Sequence, residues 1–168
     1  MSVPKFLARS CSVVAAALAL YTVPALGASY VYVDTAELTS SIMIDTKTSE
    51  GAIGDRGSRV ELCEASDAFR CFQMEDMIFA VPKKFDVKSD HATWQFRNQR
   101  FMATRVPDVM ILGSRYEIFF VDSQQAAPVR FWYSPHSGLI AIKGLQQKQD
   151  RVFLLRSRCG FASDPMCK

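Results

Sequence analysis

Residues 59–74 read Arg59-Val60-Glu61-Leu62-Cys63-Glu64-Ala65-Ser66-Asp67-Ala68-Phe69-Arg70-Cys71-Phe72-Gln73-Met74. Two alternating runs flank the short, mostly polar stretch 65–68, which predicts a β-hairpin. Joining Cys63 to Cys71 then fixes the register. Leu62 falls opposite Phe72 and Val60 opposite Met74 on one face, while Glu61 meets Gln73 on the other. A slip of one residue would part the cysteines and turn the apolar side chains to water. One register therefore satisfies both the bridge and the apolar face.

The same chemistry extends in both directions. Residues 29–34 alternate Tyr30 and Tyr32 with Val31 and Val33, and residues 38–45 place Ile42 and Ile44 on one face. Residues 77–81, 92–106, 109–112, 115–122, 129–133, 139–142 and 151–155 also read as strands, rich in β-branched and aromatic residues. Arg97-Asn98-Gln99-Arg100 reads either as a turn or as part of one exposed strand. Residues 46–58, with Gly51, Gly54 and Gly57 among polar neighbours, read as a loop. Residues 35–41 are the one candidate for a short helix. Short strands at regular spacing predict a single all-β domain over residues 28–168, an antiparallel β-sandwich or small β-barrel of about 8–10 strands.

Residues 1–27 have the parts of a cleavable secretory signal. Lys5 and Arg9 form a basic start, an apolar run centred on residues 13–20 follows, and Ala25 and Gly27 supply the small residues before a cut at Ala28. The apolar run is shorter than a membrane span requires. The expected location is therefore outside the cytoplasm, periplasmic or extracellular in a bacterium. Four cysteines remain beyond this segment: Cys63, Cys71, Cys159 and Cys167. An even count in an oxidising compartment predicts two disulfides, and the two local pairs are Cys63–Cys71 and Cys159–Cys167. In the chain-entropy view, each such small loop contributes about 2.5 kcal/mol.

Charge and motif content narrow the function. Removing Lys5 and Arg9 takes Lys and Arg from 20 to 18, against 17 Asp and Glu, so nucleic acid is not an expected partner. There is no G-x-S-x-G for a strained serine turn. The paired disulfides leave no thiol nucleophile, and His91 and His136 are too few for a histidine-based zinc site. No catalytic residues, metal or cofactor are expected.

The densest aromatic stretch is Arg130-Phe131-Trp132-Tyr133-Ser134-Pro135-His136-Ser137-Gly138-Leu139-Ile140-Ala141-Ile142, a hairpin turned by Pro135 and Gly138. With Tyr133 facing Leu139, the faces become Phe131, Tyr133, Ala141 on one side and Trp132, Ile140 on the other. Both are apolar, so one packs in a core and the other is either core or a contact surface. Trp132, Tyr133 and His136, with Arg115 and Tyr116 at the start of the 115–122 strand, are the candidate contact residues. The favoured reading is a binding or interaction module whose partner is a protein, an envelope polymer or a small apolar ligand. Two alternatives stand beside it: an envelope-directed hydrolase using carboxylates brought together by the fold, and an envelope assembly subunit pairing through an unprotected edge strand. Gly113-Ser114-Arg115-Tyr116 resembles, over four residues, the Ser/Gly-to-Tyr segment of one group of periplasmic lysozyme inhibitors, which are small exported β-proteins with two disulfides. No residue role is carried over from it.

Overall fold

Branched and aromatic side chains at every second position favour a pleated chain over a helical one. The computed structural model describes residues 28–64, 67–124, 128–145 and 151–167, and over these it holds twelve strands and no helix. The proposed signal, residues 1–27, and the turn residues Ala65 and Ser66 lie outside the described residues. The strands are β1 (Ser29–Asp34), β2 (Ser41–Asp45), β3 (Glu50–Ile53), β4 (Arg56–Leu62), β5 (Phe69–Met74) and β6 (Met77–Pro82). They continue with β7 (His91–Phe96), β8 (Gln99–Ile111), β9 (Ser114–Ser123), β10 (Val129–Ser134), β11 (Gly138–Gly144) and β12 (Val152–Leu155).

All pairings are antiparallel, and the sheet order is β6-β5-β4-β3-β2-β1-β12-β11-β10-β9-β8-β7. This is the sequence order bent into a ring. The first and last strands meet where Tyr32 pairs with Leu155, Val33 with Leu154 and Asp34 with Phe153. The break falls between β6 and β7, and side chains close it. Trp94 of β7 donates its Nε1–H to the Ala80 carbonyl of β6 at 3.0 Å. Phe96 meets Phe69 with ring centroids 5.1 Å apart. Arg97 lies 3.6 Å from Glu61 and donates to Gln73. Phe69 and Gln73 share the face of β5 opposite to Phe72 and Met74, so the β7 end overlaps the outside of β4–β6. That overlap explains why β6 is buried on both faces although one of its edges has no strand partner. Phe85, from the β6–β7 connection, fills the seam against Trp94, Phe119 and Tyr133.

The interior is filled by rings. Tyr32, Phe72, Phe79, Phe101, Phe119 and Phe131 are fully buried, each stabilising the fold by about 1.5–3 kcal/mol through area removed from water. Phe79 sits at their centre, 5.1 Å from Phe131 and 5.6 Å from Phe72. After β12 the chain crosses one end of the ring, tied by the Cys159–Cys167 bridge, and inserts Phe161 between Tyr30, Phe72 and Phe79. Leu139 N–H donates to the Phe161 carbonyl at 2.8 Å, and Asp164 N–H to that of His136 at 2.9 Å. The Tyr32 hydroxyl donates to Leu139 O and accepts from Phe161 N. Glycine is required at position 138, whose φ is +77° and where a Cβ would lie 2.5 Å from the Phe161 carbonyl.

The β4–β5 register is the one the cysteine pair demands: Val60–Met74, Glu61–Gln73 and Leu62–Phe72. Both expected disulfides are formed, with Cα atoms 5.1 and 5.9 Å apart. Several local readings change. Residues 46–58 are not a loop but contain the hairpin of β3 and β4, turned at Gly54-Asp55, which helps raise the strand count to twelve. Gly51 there is no breaker: a Cβ would come within 2.8 Å of Val60 Cγ2 and of the Met43 carbonyl, so it marks close packing. Residues 35–40 form no helix, because the buried Asp34 carboxylate accepts from the N–H groups of Ala36 and Glu37 and holds a turn. Arg97-Asn98 is a two-residue hairpin turn, and residues 109–111 continue β8. In the aromatic hairpin a bulge after Trp132 sets Phe131 opposite Ile142 rather than Ala141.

Candidate functional site

An up-and-down strand order sends alternate loops to opposite ends of a sheet. The β4–β5, β6–β7, β8–β9 and β10–β11 connections therefore share one end with the C-terminal segment. Both disulfides and the turn carrying His136 lie there. From the same end the β8–β9 hairpin extends beyond its neighbours. It bends at Pro107-Asp108, where the pairing register shifts and Asp108 takes φ +54°. A proline without an N–H and a residue outside the ladder are what such a bulge accommodates.

The bend produces a second apolar cluster, separate from the ring interior. Ile111, Ile118 and Ile140 are buried on the outer face of the sheet, with Tyr116, Phe120, Trp132 and Leu154 packed against them. Phe120 and Trp132 are in contact, their centroids 5.5 Å apart. Arg130 covers this row. Its guanidinium stands 4.9 Å over the Phe120 ring and grips Asp122 through two hydrogen bonds of 2.7 and 2.9 Å. Those bonds to Asp122 hold the Arg130 pKa above its ordinary value. The Trp132 Nε1–H is enclosed and has no acceptor among the described residues.

Between the hairpin tip and β11–β12 lies a cavity of about 160 Å³, lined by Ile111, Leu112, Tyr116, Ile140 and Leu154, with Arg156 and Arg158 on its other wall. This is close to the size at which an apolar cavity takes one benzene-like group. Arg156 and Arg158 are exposed and have no carboxylate partner among the described residues. The tip is a left-handed hairpin turn like those begun by Glu75 and Arg97, and differs from them in carrying an apolar side chain. Leu112 and Gly113 form a two-residue turn with φ of +49° and +81°, a conformation suited to Asn-Gly or Gly-Gly. Leu112 is nonetheless 84% exposed, and its neighbour Met110 is 60% exposed.

The structure separates the five candidate contact residues. Trp132 and Tyr116 belong to the outer cluster. Arg115 flanks it, exposed, 3.8 Å from Asp108, a pair of little energetic weight at such exposure. His136 is exposed on the β10–β11 turn. Tyr133 points the other way, into the ring interior, where burial raises its pKa and Arg70 opposes the rise. Sequence reading passed over Leu112, Arg156 and Arg158. A leucine directly before glycine between two strands was the available signal, hidden because residues 109–112 read as a strand rather than as a turn. A second, open depression of about 860 Å³ on the outside of β2–β4 is floored by Met43, Ala52 and Gly57 and presents no aromatic side chain. Among the described residues no three His, Cys, Asp or Glu side chains converge on a metal site, and no helix is long and apolar enough to cross a membrane. No family model, curated protein or solved structure matches the chain, so the chemistry of the site is argued from its geometry.

Proposed function

We propose that the protein is an exported binding module that uses the outer face of β8–β12 to hold a protein partner. In this reading residues 1–27 are a signal removed before Ala28, and the two disulfides suit the oxidising compartment it leads to. The partner inserts one apolar side chain into the cavity beneath the β8–β9 tip. Acidic residues beside that anchor pair with Arg156 and Arg158, while Tyr116 and Trp132 supply the rigid aromatic contacts typical of interface centres. The cavity is too small for a ligand of drug-like size, and the ring interior is already filled with side chains, which favours an anchor from a protein over a carried lipid or cofactor.

One observation carries this reading: beside the cavity, Leu112 exposes a large apolar side chain at a left-handed turn position, where the equivalent turns carry the polar Glu75 and Arg97. An L-residue in that conformation costs about 1–2 kcal/mol, and exposure returns nothing for it. A photo-reactive side chain placed at Ser114, beside the cavity, should capture a discrete protein adduct in the native compartment. The same group at Ser58, on the β2–β4 face, should not. Leu112→Asn should abolish the Ser114 adduct. Equal labelling from both positions, or none from Ser114, would remove the proposed surface.

A further inference from the structure

The two edges left by the break in the ring are treated differently. The β6 edge ends in Pro82, which has no N–H, and its Ala80 carbonyl is taken by the Trp94 indole. The β7 edge is guarded only at its Phe96–Arg97 end, which lies over the outside of β4–β6, and at the His91 carbonyl. Arg105 N–H bonds to the Asp90 carbonyl at 2.8 Å, so the ladder to β8 runs through residues 90, 92, 94 and 96. The N–H and C=O groups of His91, Thr93 and Gln95 therefore point away from β8. Of these, the His91 carbonyl accepts from the Ser89 hydroxyl. A depression of about 450 Å³ is lined by Thr93, Trp94 and Gln95, by Asn98 of the turn and by Arg100, which pairs with Gln95 on β8, so it lies over the β7–β8 hairpin. His91–Phe96 contains no Lys, Arg, Asp, Glu or Pro, the residues with which edges are usually blunted.

We infer that β7 is a strand-addition edge and that its occupant is the β7 strand of a second copy of this chain, giving a two-fold dimer. The strand is complementary to itself in one register. Antiparallel pairing through the outward groups, centred on Thr93, sets Thr93 opposite Thr93, and His91 opposite Gln95. The half-buried face matches as well, because the small Ala92 then lies opposite the large Trp94. No like charges meet at any position. Thr–Thr and His–Gln are pairs that hydrogen-bond across strands, and a symmetric contact of one patch with itself is the commonest form of homodimer.

Sedimentation velocity on the disulfide-bonded protein, from micromolar to millimolar concentration, reads the outcome. Wild type is expected to show a reversible species of twice the chain mass. Thr93→Lys and Thr93→Glu each bring like charges face to face and should raise the dissociation constant about fivefold or more. An equimolar mixture of the two should restore dimer, because Lys then faces Glu. Thr93 is exposed, so both variants should keep the wild-type unfolding midpoint, and loss of dimer would not reflect loss of fold. A wild type that stays monomeric throughout, or a dimer indifferent to both variants, would overturn the inference.

Discussion

At the β8–β9 tip an Asn-Gly pair would turn the chain without steric cost, yet the chain places Leu112 there with φ +49°. Leu112→Asn is therefore expected to raise the unfolding free energy by about 1 kcal/mol, measured as a shift in urea midpoint at constant slope. A loss of stability would instead mean that the leucine serves the fold, and the functional argument from its strain would fall. The buried tyrosines give a second residue-scale expectation. Tyr30, Tyr32 and Tyr133 all hold their phenolic protons more tightly in the fold than in a free chain, with desolvation the leading cause. Above about pH 10 the unfolded chain releases protons that the folded chain keeps. Their contribution is complete below that pH and is lost as pH rises further, by up to about 1.4 kcal/mol per pH unit for the fully buried Tyr32 and by less for the others. Urea midpoints should fall steeply above pH 10, and Tyr32→Phe should make that fall shallower. An equally steep fall in Tyr32→Phe would show that this hydroxyl is not what fails.

The strand β10 carries two different environments on alternate residues, and mutation should tell them apart. Tyr133 is 3% exposed in the ring interior, so Tyr133→Ala should cost about 3–5 kcal/mol. Trp132 lies half-buried on the outer face, and Trp132→Ala should cost less than half as much in the same denaturant titration. Equal costs would mean the outer cluster is as essential to folding as the core. The two-faced character of this hairpin was legible from alternation alone, and so was the β4–β5 register, because bridge and apolar face admitted a single solution. Residues 46–58 were misread for a physical reason: glycine breaks strands by its freedom but also enters them where packing excludes a Cβ, and Gly51 does the second. The bulge at Pro107-Asp108 was equally hidden. It bends β8 and β9 so that Ile111 meets Ile140, residues 29 positions apart in sequence, and no short-range pattern encodes that contact.

Over the whole molecule, one ring-shaped sheet closes by overlap rather than by a continuous ladder, and its interior is occupied by the chain's own rings, Phe161 included. With the interior filled, both proposed surfaces, the curled β8–β9 tip and the β7 edge, lie outside the ring. The cavity beneath the tip was beyond sequence reading, since it arises from a bend that brings β8, β9, β11 and β12 together. Native mass spectrometry of the protein isolated gently from its own compartment, beside its Leu112→Asn variant, addresses the central claim most directly. The expected spectrum shows a chain beginning at Ala28, four hydrogens lighter than its reduced form, carrying a protein partner that the variant has lost. A chain retaining residues 1–27, or spectra identical for both proteins, would contradict the account.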